Sequence, residues 1–167
     1  RFTNDVLNNT ETEVTLNSSF ETINNESKLT TLFRNGGIGR LGANITLTND
    51  LTLTNDVLII GNTKTLNMNN HKIIVPTEKT FKANETLFTN GYNTIQQHTQ
   101  STVELNNCTF TNCTGLGSVI DCQIDIESLE MENDFTTTIT GCTFTNNDMC
   151  ILHGGELNIE NCTITGK

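Results

Sequence analysis

The sequence predicts an all-β solenoid, and three observations carry that prediction. The first is self-similarity. Val103-Glu-Leu105-Asn-Asn-Cys108-Thr-Phe110-Thr-Asn112, Thr137-Thr-Ile139-Thr-Gly-Cys142-Thr-Phe144-Thr-Asn146 and Leu157-Asn-Ile159-Glu-Asn-Cys162-Thr-Ile164-Thr-Gly166 share one pattern, at intervals of 34 and then 20 residues. The second is alternation: apolar and polar residues swap within pieces of four or five, which gives short strands with one face inward and one outward. The third is composition. Thr (31) and Asn (25) make up a third of the 167 residues, against one Pro and no Trp. Such residues form long helices poorly and suit short strands joined by turns. Strand pieces this short, recurring about every 20 residues, bury one face of each piece only if successive turns stack about 4.8 Å apart.

Along the chain, residues 1–26 hold one alternating stretch, Glu13-Val-Thr-Leu16, in Asn-rich surroundings and read as an arm or leader strand. Residues 27–40 read as a capping helix and turn. Ser27 is the expected N-cap, Leu29, Leu32 and Phe33 share one helical face, and Gly36 is the expected C-terminal stop. A helix placed there covers the open end of the apolar core, as terminal repeats must. Residues 41–167 carry the rungs, five or six of them, with an acidic excursion near 120–134. Leu66-Asn-Met68-Asn-Asn-His71 reads as an earlier copy with His71 at the cysteine position, and Ile45-Thr-Leu47-Thr-Asn-Asp50 as a more degenerate one. Leu47, Leu53, Ile59, Leu66, Met68, Ile73, Val103, Leu105, Phe110, Ile139, Phe144, Leu157, Ile159 and Ile164 are the expected core.

The run from Gly42 to Asp50, the repeated Cys-Thr-Phe-Thr-Asn and the helix before them resemble the start of a right-handed parallel β-helix of the pectate-lyase-like type. Within that class, the Phe-x-x-Asn pattern and Gly154-Gly155 are similar to repeats of archaeal surface adhesin-like proteins and, more loosely, of chlamydial polymorphic membrane proteins. The Gly-Gly-Ala-Ile motif of the latter is replaced here by Gly154-Gly155-Glu156-Leu157. The resemblance covers about residues 27–167. It implies a right-handed parallel β-helix at the cell surface or outside the cell, mediating attachment or assembling into a filament. The partners it implies are other surface proteins, glycans or copies of the chain itself.

Charge narrows the choice further. The net charge is −10, and no Lys or Arg lies between Lys82 and Lys167, which disfavours a nucleic-acid or anionic-membrane surface over the second half. No run of eighteen apolar residues offers a membrane span. The abrupt start at Arg1 and the Thr-Gly-Lys end suggest a processed protein or a fragment. Six carboxylates, Asp121, Asp125, Glu127, Glu130, Glu132 and Asp134, fall in the excursion. Converging carboxylates suit Ca²⁺, with Asp121, Asp125 and Glu127 as the candidate ligands. Without a glycine-punctuated Asp-x-Asp-x-Asp-Gly loop, a solvated and self-repelling protrusion is the favoured reading, and no other cofactor is expected.

An enzyme is the main alternative, since polysaccharide-binding and polysaccharide-cleaving proteins share this fold and work with paired carboxylates or with calcium and a base. The acids are scattered, Asp50, Asp56 and Asp121 do not share a register, and no Gly-x-Ser-x-Gly is present. The expectation is therefore a protein without enzymatic activity. His71, His98 and His153 are isolated and read as structural. The Thr-x-Thr pieces could form a flat, ice-matching grid, but unequal spacing argues for ordinary solvated strand faces.

Cys108, Cys113, Cys122, Cys142, Cys150 and Cys162 are even in number and form no Cys-x-x-Cys pair, which favours disulfides in an oxidising compartment over zinc. Cys142 with Cys162 is the preferred pair, because equivalent positions in adjacent turns lie within disulfide reach. The alternative is a ladder of reduced, buried thiols. Eight sequons, at Asn8, Asn17, Asn25, Asn44, Asn84, Asn107, Asn112 and Asn161, are candidate glycosylation sites.

Overall fold

The computed structural model describes residues 20–122 and 134–166. Among the described residues, eighteen short strands and one helix build a parallel β-helix with three sheets. The first sheet stacks β1 (Phe20–Ile23), β2 (Gly37–Leu41), β5 (Val57–Ile60), β8 (Thr80–Asn84), β11 (Thr102–Asn106), β14 (Thr136–Thr140) and β17 (Glu156–Glu160). The second stacks β3 (Ile45–Thr46), β6 (Thr65–Asn67), β9 (Leu87–Thr89), β12 (Thr109–Thr111), β15 (Thr143–Thr145) and β18 (Thr163–Thr165). The third stacks β4 (Leu51–Thr52), β7 (Ile73–Val75), β10 (Ile95–Gln97), β13 (Ile120–Cys122) and β16 (Ile151–Leu152). Each turn of chain visits the three sheets in that order, which makes five complete rungs and two strands of a sixth. The right-handed parallel β-helix with a helical cap is thus the fold observed.

The cap begins slightly earlier than its sequence suggests. Helix α1 spans Glu26–Asn35, and Asn25 rather than Ser27 is its N-cap, accepting the Lys28 N–H at 3.0 Å. Both residues are good caps, but Asn25 has extended backbone, as an N-cap requires. Leu29, Leu32 and Phe33 point into the core, and the Gly36 N–H closes the last turn on the Leu32 carbonyl at 2.7 Å. Glu26 then clamps the cap to the first rung, accepting from the Thr48 N–H (2.6 Å), the Thr48 hydroxyl (2.8 Å) and the Asn49 N–H (3.3 Å). Partial burial alone would raise its pKa, yet these donors hold the carboxyl below its ordinary value. Ahead of the cap, β1 pairs in parallel with β2; the stretch Glu13-Val-Thr-Leu16 expected as the leader belongs to residues 1–19, which lie outside those described.

Register explains the uneven spacing. Gly37, Val57, Phe81, Val103, Thr137 and Leu157 succeed one another across the first sheet, so the rungs are 20, 24, 22, 34 and 20 residues long. The strands stay aligned although the connections between them differ in length. At the corner between the first and second sheets, Glu85, Asn107, Gly141 and Asn161 all take positive φ, between 49° and 64°. Residues there are mostly of the types that tolerate a left-handed turn. The residue after each one turns inward, so Thr86, Cys108, Cys142 and Cys162 form a single column.

His71 is not in that column. Leu66 pairs with Phe88, the counterpart of Phe110, which places His71 beyond the second sheet, half-exposed against Asp50. The binary pattern of Leu66-x-Met68 fits either sheet, because both alternate with period 2. Eleven of the fourteen expected core residues are buried; Leu157 is half-buried, and Ile159 and Ile164 are 42% and 61% exposed, since they belong to the sixth rung. The centre of the core is an aromatic stack: Phe88, Phe110 and Phe144 lie at centroid spacings of 4.7 and 5.7 Å with rings within 8° of parallel. Truncating the middle ring, Phe110→Ala, should lower stability by about 3–5 kcal/mol. The midpoint of urea unfolding reads this out, and an unchanged midpoint would mean that Phe110 does not support its neighbours.

Candidate functional site

The interior carries a line of polar side chains at the corner between the third and first sheets. Val75, Gln97 and Cys122 succeed one another in register, and His153 follows one residue beyond the Asp121 and Leu152 pair. Gln97 and Thr137 are fully buried. The Gly155 N–H donates to His153 Nδ1 (3.1 Å), which leaves the ring proton on Nε2. Nε2 then donates to Thr137 Oγ1 (2.8 Å), and the Thr137 hydroxyl donates to Gln97 Oε1 (2.8 Å). Gln97 Nε2 ends the chain on the carbonyls of Ser101 (2.9 Å) and Thr136 (3.1 Å).

This line contains a hydroxyl and an imidazole in contact, the outline of a nucleophile and its base. Its proton order runs the wrong way for that chemistry. A base must present a bare nitrogen to the hydroxyl, whereas His153 presents N–H and Thr137 has already given its proton to Gln97. Cys122, whose thiol is 3.8 Å from Gln97 Oε1, is pushed up to about 12 by burial, partly offset by the Gly154 N–H. It is therefore a neutral thiol, not a nucleophile. The line is wired as structure.

The six cysteines are all thiols, and the expected Cys142 to Cys162 bond is not formed. Cys108, Cys142 and Cys162 do share one column, as the repeat implies. Each thiol, with its one proton, has two carbonyl acceptors within reach, one two residues back and one in the preceding rung: Asn106 and Ala83 for Cys108, Thr140 and Leu105 for Cys142, Glu160 and Ile139 for Cys162. Thr86 makes the same backward bond with its hydroxyl, so the column accepts either group. Cys113 sits apart, its N–H bound to the buried Asn147 Oδ1 (2.8 Å), and Cys150 is half-buried near it.

Asp121 is not in the excursion. It lies in β13, 5% exposed, and accepts from Asn93 Nδ2 at 2.8 Å. Asp125 and Glu127 lie outside the described residues. Among the described residues no three His, Cys, Asp or Glu side chains converge as metal ligands do. Of the sequons, Asn8 and Asn17 are likewise outside those residues. Asn107, Asn112 and Asn161 are exposed turn residues, whereas Asn25 caps α1, Asn44 Oδ1 holds the Thr65 N–H (2.9 Å) and Asn84 is half-buried in β8.

The outer faces hold what the sequence did not reveal. On the first sheet, Phe20, Ile38 and Leu58 form one outward column that continues into Lys82 and Glu104, joined by an ion pair of 2.8 Å. Arg40 covers the Phe20 ring at 5.6 Å, and Ile60 stands beside Arg40 in the next outward column. Beside this stripe a groove of about 610 Å³ runs across four strands, floored by Ile38 and Leu58 and rimmed by Asp56, Thr80, Thr102, Lys82 and Glu104. Both rim carboxylates are engaged, Glu104 by Lys82 and Asp56 by the Thr80 N–H at 2.8 Å. On the second sheet, Thr109 and Thr111, Thr143 and Thr145, and Thr163 and Thr165 stack in register despite their unequal spacing. Leu87 and Asn67 interrupt the grid in earlier rungs.

Neutral His153 ties the fifth rung to the buried line, and burial lowers its pKa below the ordinary 6.5. The unfolded chain then takes up the proton more readily than the fold. The stability it contributes is complete above about pH 6.5 and is lost as the pH falls through and below that value. In melts between pH 8 and 5, His153→Gln should flatten this part of the profile; an identical profile in the variant would assign the loss to other groups.

Comparison with protein-family models, with curated proteins and with solved structures finds no match.

Proposed function

We propose that this chain is an extracellular or cell-surface structural protein, an adhesin-like β-helix that attaches surfaces or assembles with copies of itself, without enzymatic activity. The observation that carries the reading is the apolar stripe of Phe20, Ile38, Leu58 and Ile60 on a solvent-facing sheet. Outward strand positions are normally polar, and a contiguous apolar set there is characteristic of a contact surface. The interior supports the same reading: the Thr137 and His153 contact and the Cys122 thiol are committed to structural bonds. The threonine-rich faces and closely stacked rungs give a stiff scaffold on which such a surface can be displayed. The sixth rung, with Ile159 and Ile164 exposed, is a second apolar face that another rung or a neighbouring chain would cover.

The groove favours a second reading, a polysaccharide-binding protein. Its hydroxyl and charged rim over an aliphatic floor can hold a polyol by paired hydrogen bonds. Engagement of both rim carboxylates supports binding over cleavage.

Light scattering over a concentration series, with a glycan-retention screen beside it, tests both readings. Self-association or glycan retention is expected, and Leu58→Glu should abolish it with an unchanged melting temperature, since Leu58 points outward. A chain that stays monomeric and retains no glycan would overturn the proposal.

A further inference from the structure

One pair in the column of thiols is joined by a direct contact, and it is not the pair preferred from the sequence. Cys108 and Cys142 are both 1% exposed and sit one rung apart, the Cys108 N–H pointing at Cys142 Sγ at 3.4 Å. The pairing of Thr109 with Thr143 puts their Cα atoms about 4.8 Å apart, within the span of a disulfide. Cys162 is half-exposed and directs its thiol to the Ile139 and Glu160 carbonyls. We propose that Cys108 and Cys142 are an oxidative modification site, closing to a buried disulfide that staples the fourth rung to the fifth.

The surroundings fit the product. A disulfide is neutral, as an apolar interior demands, and it leaves the backbone carbonyls their strand partners: the Cys108 carbonyl still accepts from Thr143 N–H at 2.9 Å. The loop it closes, residues 108–142, contains the longest insertion between rungs, so the bond constrains the stretch of unfolded chain with most freedom to lose. The two thiols are also unequal. Contact with Cys108, whose N–H points at Cys142 Sγ, holds the pKa of Cys142 below its ordinary value against the opposing effect of burial. Cys142 is the sulfur that attacks.

The oxidant is a small peroxide, hydrogen peroxide, which is close to water in size and reaches the core through local opening. The Cys142 thiolate attacks one peroxide oxygen, the O–O bond breaks, and hydroxide leaves, giving a sulfenic acid. The Cys108 sulfur then attacks Cys142 Sγ; the S–S bond forms as the S–O bond breaks, and the sulfenic oxygen leaves as water with the Cys108 proton. Two thiols lose two electrons and two protons to one peroxide, which becomes two waters.

The test treats the folded protein with hydrogen peroxide, blocks remaining thiols under acidic denaturation, and maps the linked peptides. Trypsin is uninformative because no Lys or Arg lies between the cysteines; cleavage after phenylalanine separates them at Phe110, Phe135 and Phe144. The expected result is a fall from six to four titratable thiols, a peptide pair joined through Cys108 and Cys142, and a higher melting temperature that a reductant reverses. Cys162→Ser should keep the link, and Cys108→Ser should abolish it. A dominant link between Cys142 and Cys162 or Cys113 and Cys150, or six thiols persisting under peroxide, would overturn the assignment.

Discussion

Parallel stacking in register is the constraint on which the rest of this molecule depends. Neighbouring strands stand about 4.8 Å apart, so each inward side chain rests on its counterpart in the adjoining rung. A position in this fold is therefore a column, and a column must be chemically compatible along its whole length. The aromatic column Phe88, Phe110 and Phe144 shows the favourable case, with near-parallel rings that exclude water over three rungs. The column of Thr86, Cys108, Cys142 and Cys162 shows tolerance: a hydroxyl and a thiol fill similar volumes and both reach the carbonyl two residues back. Close approach also has a steric side. At Gly61 a side chain would lie 2.2 Å from the Glu85 carbonyl oxygen and 2.4 Å from the Thr86 Cα, so the backbone of the next rung occupies the space itself.

The same constraint explains why a polar line is tolerated in the core. Gln97 brings two donors and an acceptor into a space without water, where an unmade hydrogen bond costs more than a made one contributes. Its amide is saturated by Ser101, Thr136 and Thr137, and the remaining demand passes to His153 and ends at a backbone N–H. Three rungs must be aligned for every bond to be made. A slip by one residue would leave Gln97 buried and unpaired, so the line specifies register in a stretch where the third-sheet strands are only two or three residues long.

Much of this architecture was legible in the sequence, and the failures have physical causes. The repeat exposed the rungs and nearly all the core, because an alternating strand with one buried face leaves a strong trace. Placing Leu66 with Val103 instead of Phe110 failed because consecutive strands alternate in the same way, and the corner of Gly61 to Lys64 is longer than its later equivalents. Asp121 looked like part of an acidic run, yet the strand that buries it is three residues long and its partner Asn93 is 28 residues away. The outer stripe left no trace at all. Phe20, Ile38 and Leu58 come from three strands, and only the register brings them together.

Electrostatics gives this rod a polarity that its shape lacks. All seven Lys and Arg of the described residues, from Lys28 to Lys82, belong to the cap and the first three rungs, as do the apolar stripe and most of the groove. Between Lys82 and Lys167 the sequence holds carboxylates and no Lys or Arg, so the later rungs are net negative although Lys82 pairs with Glu104, and at physiological salt such charges repel over about 8 Å, which is nearly two rungs. An anionic surface would meet a repulsive field along the later rungs and a mixed one near the cap. The apolar stripe thus sits on the part of the solenoid where close approach of an anionic surface costs least.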